Sequence, residues 1–258
     1  MSQLIQWPRA KYWDKPWNPV IGCKPVSPGC ANCYARALVT GRWNLTGICS
    51  PDFTPTFKPK SKIPKHGVIF CGNMTDLFGE WVRTMQIFDW FSEMWTHGKC
   101  GPEPNPATYL WLTKRAGRLG DCVSDYTECP NAYFGVTAES SGWFEKRMYA
   151  LASSCADIKK ARWWLSCEPL LGPICLAPWT RLFGWVVVGC ESGPRRRPCK
   201  VEWVESIVEE CRNAGVPVFV KQLDIGGRCV TDIEKFPEHL RIRQCPGRRR
   251  ERSRYAGE

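Results

Sequence analysis

The chain has 258 residues, 43% of them apolar and 24% charged, a composition that suits one large globular domain or two small ones and excludes a disordered body. No run approaches the roughly 18 consecutive apolar residues of a membrane span, and the opening MSQLIQWPRAKYWDKPW lacks the apolar core of a secretory leader, so a cytoplasmic protein without membrane contact is expected. A net charge of +11 favours a polyanionic partner, and sixteen cysteines in a reducing compartment point to buried thiols, metal ligands or redox groups rather than disulfides.

Along the chain, a short strand near 17–21 is followed by GCKPVSPGCANCY at 22–34, where Cys23, Cys30 and Cys33 are spaced C-x6-C-x2-C. Pro25, Pro28 and Gly29 make this connection a loop. Three thiolates on one loop can hold three irons of a [4Fe–4S] cluster and leave one metal position open. Zinc completed by a distant cysteine is the alternative. Next comes GVIFC (67–71), an apolar run that suits a strand buried on both faces. Trp81, Met85, Phe88, Phe91 and Trp95 then step along one helical face. TYLWL (108–112) and AYFGV (132–136) are strands of the same kind. A helix carries Phe144, Met148 and Leu151, with Ser140 or Ser141 as its N-cap. RWWLS (162–166), WVVV (185–188) and PVFVK (217–221) complete the set, and a last helix carries Val204, Ile207, Val208 and Cys211 up to a C-terminal Gly215. Cys122 and Cys129 repeat the six-residue gap and hint at a second cluster.

Strands alternating with helices predict a parallel α/β fold: a full or partial (β/α) barrel of about six to seven strands over residues 1–240. An open doubly wound sheet is the alternative, and no GxGxxG opens a first helix. In either fold the site lies at the carboxyl ends of the strands. Residues 241–258 hold seven Arg and two Glu without apolar periodicity, and read as a flexible basic extension. Neither a G-x-S-x-G nor a GxxxxGK[ST] loop occurs.

The cysteine loop resembles the cluster motif of radical S-adenosylmethionine (radical SAM) enzymes, with a first gap of six residues in place of three. More closely, the chain resembles a phage-associated three-cysteine-motif, radical-SAM-like family, and more loosely the spore photoproduct lyases. The likeness spans most of residues 15–225 and rests on WNPVIGCKPVSPGCANCYA, GNMTDLFGEWV, LTKRAGRL, FGVTAES, LSCEPLLGPI, VVGCESGPRRRP and VPVFVKQL in that order. It implies a [4Fe–4S] cluster on Cys23, Cys30 and Cys33 with S-adenosylmethionine chelated to the open iron. One electron then cleaves the sulfonium, and the 5′-deoxyadenosyl radical takes a hydrogen atom from substrate. Among the strand ends, Gly72, Asn73, Asp76, Thr137, Glu168, Glu191 and Ser192 are implied to hold the cofactor, and Lys114, Glu168 and Lys221 to serve the reaction. An electron donor is implied as a partner.

A nucleic acid or nucleotide is the expected substrate, with a phage DNA base as the leading case. Arg195, Arg196 and Arg197 follow a strand end, Arg248, Arg249 and Arg250 lie in the extension, and Arg9, Lys11 and Lys15 interleave with Trp7, Tyr12, Trp13 and Trp17. Three other readings stay open: a metal-stabilised nucleic-acid binder without catalysis, a non-radical methyltransferase or hydrolase, and a radical enzyme acting on a small carboxylate metabolite.

Overall fold

The computed structural model describes residues 5–7, 9–42, 50, 52–99, 107–123, 131–155 and 162–245. Seven parallel strands form one sheet: β1 (Lys15–Trp17), β2 (Val68–Cys71), β3 (Thr108–Thr113), β4 (Ala132–Thr137), β5 (Trp163–Cys167), β6 (Phe183–Gly189) and β7 (Val218–Ile225). They lie side by side in chain order, and β8 (Arg228–Val230) pairs antiparallel on β7. All six apolar runs appear as strands, and the seventh lies at 15–17, slightly earlier than expected. The segment at 20–21 makes instead a two-residue antiparallel pair with Thr56–Phe57.

Among the described residues, four helices of eight residues or more connect the strands: α1 (Thr84–Lys99), α2 (Ala116–Val123), α3 (Ser141–Ser154) and α4 (Val201–Ala214). Between β5 and β6 the chain makes only the short turn Thr180–Leu182. The helices bury Phe91, Met94, Leu119, Phe144, Met148, Val204 and Ile207 against Tyr109, Trp111, Phe134, Leu165 and Val186, which share one face of the sheet. The alternate strand residues Phe70, Leu110, Tyr133, Trp164, Trp185 and Phe219 face the other way and enclose Tyr12.

That second face is strongly concave. The Tyr12 ring lies 6.1 Å from Phe70 on β2 and 5.5 Å from Phe219 on β7. Those strands are five spacings apart, about 24 Å in a flat sheet, so one ring touches both only because the sheet curls around it. Of the full or partial barrel expected, no closed form is found: among the described residues β1 pairs only with β2, and β8 only with β7. Part of the inner surface is filled by Tyr12 and Cys245.

Three local expectations change. Helix α1 starts at Thr84, after a turn in which Val82 N bonds Gly79 O, so Trp81 lies outside it. Its buried face is Ile87, Phe91 and Met94, and Met85 is exposed. Ser140 occupies the N-cap of α3 without a side-chain cap bond, and the Ser141 hydroxyl donates to Pro173 O instead. Residues 241–245, read as the start of the basic extension, are packed: Arg243 is buried and donates to the carbonyls of Val220, Lys221 and Thr231. Gly215 ends α4 at φ 70°, as the sequence indicates. Among the described residues no helix is long and apolar enough to cross a membrane.

Candidate functional site

The cysteine loop begins at Gly22, whose φ is 103° and whose Cβ, if it had one, would sit 2.3 Å from Thr54 O. Only glycine turns the chain there. Cys23 N then bonds Phe53 O at 3.0 Å. Pro28–Cys30 forms one tight turn, and Cys33 directly precedes the short helix Tyr34–Ala37. The three thiols are half-buried, whereas eight of the thirteen described cysteines are fully buried. Burial, with Asp76 nearby, pushes the Cys23 thiol up to about 11; a bound cation reverses that preference, because a coordinating thiol is deprotonated.

Cys23, Cys30 and Cys33 line one cavity of about 550 Å³, and each parallel strand from β2 to β7, or the loop directly after it, contributes to it. The β2 end supplies Gly72, Asn73 and Asp76. Lys114 follows β3, Thr137 ends β4, Glu168 follows β5, Glu191 and Ser192 follow β6, and Lys221 lies in β7. The residues expected to hold the cluster, the cofactor and the reaction therefore share one cavity.

Three glutamates just beyond β4, β5 and β6 organise it. Glu139 is 1% exposed. Its Oε1 accepts Lys114 Nζ at 2.6 Å and Ser27 Oγ at 2.8 Å, and its Oε2 accepts Arg147 Nη1 at 2.6 Å. Burial alone would raise this carboxyl, but Lys114 and Arg147 overcome it and hold the group at about 2. Ser27 belongs to the cysteine loop, with its Oγ 3.8 Å from Cys30 Sγ. Lys114 also donates to Thr137 Oγ1 at 3.1 Å, which leaves one ammonium proton for a ligand. Glu168 Oε1 forms an ion pair with Lys221 Nζ at 2.6 Å, and its Oε2 accepts Ser166 Oγ at 3.1 Å and the Tyr12 hydroxyl at 3.2 Å. Glu191 accepts Asn32 Nδ2 at 3.0 Å and Arg197 N at 2.8 Å, and its carboxylate also pairs with the Arg197 guanidinium. Burial pushes Glu191 up, and the bonds from Arg197 and Asn32 bring it below the usual carboxylate range.

The cysteine loop is thus clamped on both sides. Ser27 is held by Glu139, and Asn32 by Glu191 and by Arg195 O at 2.7 Å. Arg197 Nη1 reaches Pro28 O at 3.0 Å. A Cβ on Gly29 would lie 2.3 Å from Glu139 Oε1. Gly29→Ala is therefore expected to push the loop off Glu139 and to cut iron retention after reconstitution by about tenfold, with iron content as the readout.

Two expected roles look different in the folded chain. Asp76 lines the cavity, but its Oδ1 accepts Phe78 N and Thr113 Oγ1, and its Oδ2 accepts Lys114 N and Arg115 Nη1, all within 3.0 Å. An ionised carboxylate offers about four acceptor positions, so Asp76 is a latch between the β2 and β3 loops rather than a free cofactor ligand. Asp76→Ala leaves four donors without their acceptor, the half-buried Arg115 guanidinium among them, and should cost about 3 kcal/mol, seen as a fall in Tm of about 6–12 °C. The arginine run is the second case. Arg197 is spent on Glu191, and Arg196 pairs with Asp224 at 3.0 Å. Only Arg195 of the three is exposed. Arg248, Arg249, Arg250 and Cys129 lie outside the described residues, and Cys122 is buried in α2.

Glu139, Arg147, Asn32, Asn18 and Tyr34 are additional to the sequence expectation. Asn18 Nδ2 donates to Asn73 Oδ1 at 2.7 Å, and the Tyr34 hydroxyl donates to Asn73 O. Glu139 was within reach of the rule that picked out Glu168 and Glu191, a carboxylate just beyond a buried strand. Tyr12 and Trp17, expected among the basic residues as stacking rings, are instead buried in the apolar core.

Three thiols on one loop are the donor type that iron–sulfur clusters take; among the described residues no group of three or more His, Cys, Asp or Glu is placed to hold a single metal ion. No curated protein and no solved structure matches the chain. A family model described as a protein of unknown function, DUF5131, matches residues 8–252, and the chain belongs to that family.

Proposed function

We propose that the protein is a radical SAM enzyme that binds a [4Fe–4S] cluster on Cys23, Cys30 and Cys33, binds S-adenosylmethionine in the adjoining cavity, and takes a hydrogen atom from a nucleic-acid or nucleotide substrate. The observation that carries this reading is the opening of three half-buried loop thiols and six strand ends onto one cavity. In this reading the curled, incomplete sheet is a partial (β/α) barrel with its site at the carboxyl ends.

When bound, the cluster supplies one electron to the cofactor's sulfonium, and the resulting chemistry abstracts hydrogen from substrate. The chain's own residues bind, orient and exclude water. Asn73, fixed by Asn18 and Tyr34, and the rim residues Gly72 and Ser192 present polar groups to the cofactor. The remaining Lys114 proton reaches for an anionic group. The ion pair with Glu168 at 2.6 Å fixes Lys221 Nζ on the cavity wall, where it positions substrate. Tyr12 and the rings around it close the floor to water. Such chemistry suits the reducing cytoplasm expected from the cysteine content.

Anaerobic reconstitution with iron and sulfide tests the reading. About four irons and four sulfides per chain, with a brown charge-transfer absorption, are expected. A colourless protein that takes up one zinc instead contradicts it.

A further inference from the structure

The arginine run expected to grip phosphate is largely consumed inside the protein, yet a different basic surface is not. Residues 53–75 contain Lys58, Lys60, Lys62, Lys65 and His66 and no Asp or Glu. Lys60, Lys62, Lys65 and the nearby Lys15 are exposed. Among the described residues none of these lysines pairs with a carboxylate, whereas Lys114, Arg115, Arg147, Arg196, Arg197 and Lys221 all do. Like charges gathered without counter-charges disfavour one another in the free chain, so an uncompensated strip gains most from a polyanion.

The strip is rigid. Lys58 N bonds Pro19 O at 2.7 Å, Ser61 N bonds Lys58 O at 3.0 Å to close a turn with Lys60 at its tip, and Ala107 N bonds Lys65 O at 3.1 Å. Ile63 is buried in the main core and anchors the middle. Holding the charges in place lowers the entropy lost on binding. One end of the strip adjoins the site, while Lys65 and Lys15 lie by the starts of β3 and β1. Phe53 O holds Cys23 N, and Thr56–Phe57 pairs with Val20–Ile21 just before the cysteine loop. Beyond Lys15, Trp13 and Lys11 line the cavity itself, with Lys11 Nζ 3.7 Å from the Trp13 ring centroid.

We propose that Lys58, Lys60, Lys62 and Lys65, continued by Lys15, form a nucleic-acid interface that grips the phosphate backbone and leads one strand toward the cavity. Exposed Phe57, at 46%, gives the strip one ring for base stacking. A single ring on an extended segment is poor membrane anchorage, which needs an amphipathic apolar face. The phosphate-binding part stands on the surface alone; its link to a reaction rests on the radical-enzyme reading.

The test is fluorescence anisotropy with labelled single-stranded and duplex 20-mer DNA across a salt series, using the full chain. The slope of log affinity against log salt should fall by about 2.8 to 3.6 in K58Q/K60Q/K62Q/K65Q, since each phosphate contact contributes about 0.7 to 0.9. Lys60→Glu alone should weaken binding about tenfold at low salt, and covers the case in which the quadruple variant misfolds. Lys146→Gln, on the helical face, should change nothing. An unchanged slope in the folded quadruple variant, or native protein that binds vesicles of anionic lipid but not DNA, overturns the proposal. The assay needs neither iron nor reductant, so its failure is separate from failure of cofactor cleavage.

Discussion

Replacing Cys33 with alanine is expected to reduce iron bound after anaerobic reconstitution from about four per chain to near zero, and to abolish reductive cofactor cleavage, while the sheet stays folded. Cys23→Ala and Cys30→Ala should behave alike. Two remaining thiolates cannot hold a cube that must keep one iron open for the cofactor. The loop fold does not depend on the sulfur: Gly22 and the turn Pro28–Cys30 set its path, and Glu139, Glu191 and Arg197 hold it from outside. Cys122→Ala gives the contrast. That thiol is buried in α2, with burial pushing it up to about 11, so its loss should cost about 1 kcal/mol of packing and no iron. Iron analysis and circular dichroism on the four variants read both effects. A Cys33→Ala protein that still holds four irons removes the loop from the cluster.

Glu139→Gln should be nearly as damaging by a different route. It leaves Arg147 and Lys114 without their carboxylate in a buried setting, which costs about 3–5 kcal/mol and about 10 °C in Tm. It also weakens the acceptor that holds Ser27, so cofactor cleavage per bound cluster should fall about 10–100-fold. The pH dependence separates the charge from the shape. A carboxyl held at about 2 when folded, against 4.5 when unfolded, contributes its stability above pH 4.5 and loses it as pH falls toward 2. Native protein should therefore lose about 3 kcal/mol over that window through this one group. Glu139→Gln should lack that component, so its stability should fall less steeply there. Acid-denaturation curves of the two proteins check this, and parallel curves would show that Glu139 is not the group held ionised.

The strands were legible because a sheet buried on both faces leaves continuous apolar runs, and each run here is a strand. Helix α1 was less legible: Trp81 and Met85 have apolar spacing, but the turn before Thr84 shifts the buried stripe to Ile87, Phe91 and Met94. Closure was not legible at all, since it depends on long-range pairing and on Tyr12, a lone residue that fills the concave face. The cavity residues were found by one rule, that chemistry follows the strand ends, and that rule brought Asn73, Lys114, Glu168, Glu191 and Lys221 together. It did not say which of those charges are already spent. Arg196 and Arg197 looked like a phosphate grip in the sequence, because their partners Asp224 and Glu191 meet them only in the folded chain. The lysines of 58–65 looked unremarkable for the complementary reason: what sets them apart is the absence of such partners among the described residues.

The most direct measurement of the central claim is product analysis after reduction. The reconstituted protein is reduced anaerobically with S-adenosylmethionine present, and the mixture is assayed for 5′-deoxyadenosine. Formation of 5′-deoxyadenosine and methionine, lost in Cys33→Ala and sharply reduced in Glu139→Gln, is the expected result. Intact S-adenosylmethionine after full reduction of a four-iron cluster would contradict the assignment.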